Sequence, residues 1–75
     1  MSVVLDTVGK KCPFPMMELQ RYMAENRQVQ SLTLLASDPN AVDDIYALDD
    51  LGELRVKQVR QAEGRYWIDV ERGTT

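Results

Sequence analysis

Apolar residues recur along this chain with two different spacings, and the switches between them mark out its elements. Val3-Val4-Leu5 is a short apolar run that ends at Asp6 and predicts a first strand. From Pro13 the spacing becomes helical: Met16, Leu19 and Met23 fall at i, i+3 and i+7, with Tyr22 beside them and Arg21, Glu25 and Arg27 on the solvated side. That helix should fade near Asn26. Leu32 to Ala36 predicts a second strand, apolar enough to be central. Ser37-Asp38-Pro39 opens a second helix, with Asp38 as N-cap and Pro39 at the first helical position. Ala41, Val42, Ile45 and Leu48 give this helix a buried stripe, and Gly52 is the residue expected to stop it. Leu54 to Val59 alternates as a third strand. A turn around Glu63-Gly64 leads into a fourth, Tyr66 to Val70, whose Tyr66, Ile68 and Val70 should face the core. Trp67 would then share the outer sheet face with Arg55 and Lys57.

The order is βαβαββ. Two crossover helices on one face of a four-stranded mixed sheet make an α/β (α+β) two-layer sandwich, and the other sheet face is left open. Residues 1–75 are expected to form one domain. A chain of this size buries roughly 60% of its unfolded surface, so the core is small.

Charge narrows the partners. Nine Lys and Arg against 12 Asp and Glu give a net charge of −3. Phosphate binding leans on a basic excess, so direct nucleic-acid binding is not expected, and one Trp on an open sheet is a weak stacking platform. Asp43, Asp44, Asp49, Asp50 and Glu53 make the outer face and end of the second helix acidic. That face is either solvated surface or a docking face for a basic partner. The first residues lack the basic region of a signal peptide, and no apolar stretch approaches the ~20 residues of a membrane span. A single cysteine allows no internal disulfide, and the expected setting is the reducing cytoplasm.

That cysteine, Cys12, carries the candidate chemistry. It follows Lys10-Lys11 and precedes Pro13-Phe14-Pro15, where the first helical pattern begins. A lone cysteine is ordinarily a buried packing residue, but a packing cysteine belongs inside an apolar run. The residue before Pro is pushed out of the α region, so Cys12 reads as the N-cap of the first helix. There the helix dipole and both lysines would favour a thiolate. The chain has no His, so neither a Cys–His catalytic pair nor a Cys/His zinc site can form within it, and no metal or cofactor is expected. No second thiol exists for an internal dithiol cycle. A single activated thiol without a base or resolving partner suits a relay, because exchange at sulfur needs no oxyanion hole.

Leu5-Asp6, Gly9, Cys12-Pro13-x-Pro15 and the apolar pair Met16-Met17 resemble the opening of the TusA/SirA-like sulfur-carrier family, whose mark is a CPxP motif at the start of the first helix. The resemblance continues through Asp38-Pro39-x-Ala41-Val42-x-Asp44-Ile45 and closes with the strand Tyr66 to Val70. It implies a βαβαββ fold and a persulfide carried on Cys12. It also implies a donor, either a cysteine desulfurase or a rhodanese-type protein, and an acceptor protein. Pathways served by such carriers include tRNA uridine thiolation, other sulfur-containing cofactors and sulfur oxidation. By the same resemblance Pro13 and Pro15 frame the carrier position, while Asp6, Gly9 and Asp38 shape its loop and cap the second helix. Lys10 and Lys11 are the expected cationic support, and Cys12→Ser should abolish loading without unfolding the chain. A carrier of this kind is a shuttle more than a turnover enzyme. The sequence departs from the family pattern at Ser37, Tyr46 and Glu53, and in the acidic pair Asp49-Asp50; these differences are expected to lie away from Cys12. Two other readings stand beside the carrier: a non-catalytic interaction or regulatory module in which Cys12 is incidental, and a redox sensor whose thiolate is oxidised.

Overall fold

The computed structural model describes residues 3–73. The elements are β1 (Val4–Thr7), α1 (Phe14–Glu25), β2 (Ser31–Ala36), α2 (Pro39–Asp50), β3 (Leu54–Ala62) and β4 (Arg65–Arg72). The sheet order is β1-β2-β4-β3. β1 runs parallel to β2, and β4 is antiparallel to both β2 and β3. This is the expected βαβαββ mixed sheet, with β2 inside it.

Both helices pack on one sheet face. Leu19 and Met23 of α1 and Ile45 and Leu48 of α2 join Leu32, Leu34, Ile68 and Val70 of the central strands in a single core. Pro15, Leu19 and Met23 form the buried stripe of α1, and Ala41, Ile45 and Leu48 that of α2. The helix ends follow from local chemistry. Asp38 caps α2 by accepting the Asn40 N–H, and Gly52 takes the left-handed conformation just beyond the C-cap Leu51. The last carbonyls of α1 have no helical partner of their own. Arg72, arriving at the end of β4, donates to Met23 O (3.1 Å) and Asn26 O (3.1 Å) of that helix end and to Val29 O. Sequence spacing gave no hint of this contact.

The hairpin between β3 and β4 has a two-residue loop. Glu63 (φ 52°) and Gly64 (φ 75°) both lie in the left-handed region, the geometry that matches the twist of the flanking strands. β3 is not a simple alternating strand. Val56 pairs with Val70, but the next partner of β4, Asp69, faces Gln58, so Lys57 is an extra residue in a β-bulge. The bulge resolves a mismatch in the sequence: Val56 and Val59 are three apart, yet both pack against the core.

The bulge also changes the outer face. Trp67 shares that face with Arg55 and Lys57 as expected, but its direct cross-strand neighbours are Leu35 and Arg60. Those two cations pair with Glu71 at 4.0 and 3.5 Å, and Arg60 pairs with Asp69 at 3.2 Å. No described helix is long and apolar enough to cross a membrane.

Candidate functional site

The loop from Val8 to Pro13 lifts Cys12 to the junction of β1, α1 and α2. Side-chain acceptors fix three of the loop's amides, and the Lys10 N–H returns to Thr7 O at 3.1 Å. Asp6 Oδ1 takes the Val8 N–H at 2.9 Å. Ser37 Oγ takes the Gly9 N–H at 2.8 Å. Gly9 has φ 89°, which a residue with a Cβ adopts only at a cost. Asp38 Oδ2 takes the Cys12 N–H at 2.8 Å, while its other oxygen caps α2 at Asn40 N, 2.9 Å away. One carboxylate therefore ties the cysteine loop to the start of the second helix. Ser37, one of the positions that departs from the family pattern, is not remote from the cysteine as expected; it holds the loop that presents it.

Cys12 is one residue outside the position expected for it. The N-cap of α1 is Pro13, which follows a cis Cys12–Pro13 bond, and the Phe14 N–H returns to Lys11 O at 2.8 Å. The turn closes over Cys12, so its own N–H points across to Asp38 instead of into the helix. Pro15 is buried beneath this turn, and Cys12 is partly exposed.

The electrostatics also differ from the sequence expectation. The Cys12 thiol donates to Asp44 Oδ2 of α2. That hydrogen bond, followed by desolvation and the charges of Asp44 and Asp38, pushes the thiol up to about 11. A thiol between two carboxylates stays protonated at neutral pH. The lysines do not reverse this. Lys10 Nζ is engaged by Glu18 Oε1 at 3.0 Å, and Lys11 acts mainly by helping to hold the Asp38 carboxyl below its ordinary range, after that group's hydrogen bonds to the Cys12 and Asn40 amides. The thiolate expected from the dipole and two cations is thus overridden by two acids brought in from the other helix.

In the sequence Asp44 stood out as part of an acidic outer face and of the segment Asp38 to Ile45 that carries the family resemblance, with no contact to Cys12 expected. A finer signal was present: it lies three residues after Ala41 and four before Leu48, at the border of the buried stripe of α2. Asp49 has a structural contact of its own: its Oδ2 accepts the Val56 N–H of β3 at 2.9 Å. At the start of α1, Phe14 (55% exposed) and Met17 (50%) present large apolar side chains to solvent. Among the described residues no cluster of His, Cys, Asp and Glu could hold a metal ion.

The fold and site define a small two-layer domain that presents one partly exposed cysteine, framed by Pro13 and Pro15, at the head of α1. The family described as Sulfurtransferase TusA matches residues 3–72. The chain belongs to that family. It is also 39% identical over 46 residues to two proteins of Neisseria meningitidis, one from serogroup A and one from serogroup B, each named "Putative sulfur carrier protein". The matched stretch is 61% of this chain and 62% of each relative.

Proposed function

We propose that the protein is a sulfur carrier in which Cys12 accepts a sulfur as a persulfide from a donor protein and passes it to an acceptor protein. The observation that carries this reading is Cys12 itself: it is partly exposed, on a loop pinned at Gly9 and Cys12 by Ser37 and Asp38, in a chain of the TusA family. Gly9, Pro13 and Pro15 shape the loop, Lys11 adds cationic charge near Asp38, and Lys10 is held by Glu18 of α1. Exposed Phe14 and Met17 on the first turns of α1 offer a partner protein apolar area to cover.

Attack on the outer sulfur of a persulfide, by the thiolate formed as the thiol gives up its proton, needs no metal and no oxyanion hole. It needs an approachable sulfur and a route for its proton. Peroxide oxidation and sulfur transfer both pass through the thiolate, so the ionisation of Cys12 does not separate them; membership of the TusA family supports the carrier reading. The donor is a cysteine desulfurase or a rhodanese-type protein, the location is the cytoplasm, and the protein acts as a shuttle between enzymes.

Intact mass after incubation with a cysteine desulfurase and free cysteine tests the reading. A gain of one sulfur that reductant removes is the expected result. A chain that gains none from this donor or from a rhodanese loaded with thiosulfate, with Cys12 still alkylatable, would point to a binding module.

A further inference from the structure

We infer that Asp44 is the proton acceptor and donor for sulfur transfer at Cys12. The inference rests on the carrier reading above and assigns to that site a group from the other helix, 32 residues from the cysteine.

The argument begins with what the thiol lacks. The chain has no His, so no imidazole of its own can take the Cys12 proton. Its lysines are cations at neutral pH and accept nothing. Among the described residues, Asp44 Oδ2 is the acceptor the thiol reaches. The charged groups around it come from three segments. Asp44 is on α2, Asp38 precedes α2 with its Oδ2 occupied by the Cys12 N–H, and Lys11 lies on the cysteine's own loop. Lys10 is turned away to Glu18 of α1.

This geometry has two opposed effects. At rest the Asp44 charge disfavours the thiolate and keeps the sulfur quiet toward stray electrophiles. During transfer the same carboxylate is already aligned to remove the proton. Cys12 Sγ bonds to the terminal sulfur of the donor's cysteine persulfide as its proton moves to Asp44 Oδ2. The donor's S–S bond breaks, and its cysteine sulfur leaves with the electron pair and takes up the proton from Asp44. The donor ends as a thiol and Cys12 as a persulfide, with no net oxidation or reduction. The terminal sulfur has moved from one cysteine to the other.

The test separates thiolate abundance from proton transfer. Wild type, Asp44→Asn and Asp44→Glu are alkylated with iodoacetamide across a pH series, and each is mixed with glutathione persulfide to measure single-turnover sulfur uptake at pH 7. Removing the Asp44 charge should shift the alkylation profile to lower pH and raise the rate at pH 8. Sulfur uptake should move the other way, falling by about a hundredfold, the lower end of the usual contribution of general acid–base catalysis. Asp44→Glu should recover part of the uptake. A purely structural role for Asp44 would not drive the two readouts in opposite directions. If wild type loads and Asp44→Asn loads as fast or faster, the proton role is overturned and the carrier reading survives. If wild type takes up no sulfur from the persulfide, both fail together.

Discussion

The Asp38 carboxylate and the Cys12 amide are joined by a 2.8 Å hydrogen bond that spans from the start of α2 to the cysteine loop. The same carboxylate caps α2 at Asn40 N. Replacing Asp38 with Ala should therefore do two things at once: lower the urea midpoint through loss of the cap, and loosen the cysteine loop. Amide hydrogen exchange at Cys12 and Asn40 should accelerate in this variant, while exchange in the β2–β4 ladder changes only with global stability. Unchanged exchange at Cys12 would show that the tether is weak in solution.

The shifted acids set the pH limits. The amide bonds to Cys12 and Asn40 hold Asp38 below its ordinary 3.8, and the Lys10 contact holds Glu18 below 4.5. Below those ordinary values the unfolded chain binds more protons than the folded one, so these contributions are present above them and fade as pH falls through the lowered folded values. Cys12 has the opposite sign. Its thiol is raised from 9.0 to about 11, so its contribution is present below 9 and is lost as pH climbs toward 11. Urea denaturation at fixed pH should show both limbs, and Cys12→Ser should flatten the alkaline one while leaving the acid limb in place.

Arg72 should be a stability residue although it lies in the last strand. Its guanidinium donates to Met23 O, Asn26 O and Val29 O. Hydrogen bonds from a charged donor contribute about 1.5–3 kcal/mol each, so Arg72→Ala should cost at least about 2 kcal/mol. Arg60→Ala, which removes only an exposed pair with Asp69, should cost under about 1 kcal/mol. Equal losses for the two would contradict the capping role of Arg72.

Asp49 offers a test of the same kind on the acidic helix. Its carboxylate accepts the Val56 N–H next to the bulge. Asp49→Ala should destabilise by about 1–3 kcal/mol, and neighbouring Asp50, exposed at the end of α2, should tolerate the same change within about 0.5 kcal/mol. A basic partner that lost affinity on Asp49→Ala without a stability change would support the docking role.

Much of the architecture was legible because local signals and the global fold agree. The stripes of both helices, the Asp38 cap, the Gly52 stop and the Glu63-Gly64 turn lie where spacing and turn chemistry put them. The bulge was harder to see. Leu54, Arg55, Val56, Lys57 alternates cleanly, and only the phase slip at Val59 betrays the extra residue. The electrostatics of the site were the least legible part. Cys12 stood out from its flanking lysines and prolines, but its ionisation is decided by Asp38 and Asp44, 26 and 32 residues away. Neighbours in sequence argued for a thiolate, and neighbours in space argue for a thiol.

The most direct test of the carrier account is to follow radioactive sulfur from labelled cysteine through a cysteine desulfurase onto the purified chain, in wild type and Cys12→Ser side by side on a non-reducing gel. The account predicts label on the wild-type chain that reductant releases, and none on Cys12→Ser despite an unchanged circular dichroism spectrum. Equal labelling of a folded Cys12→Ser variant would contradict it, because no other thiol exists in the sequence to carry the sulfur.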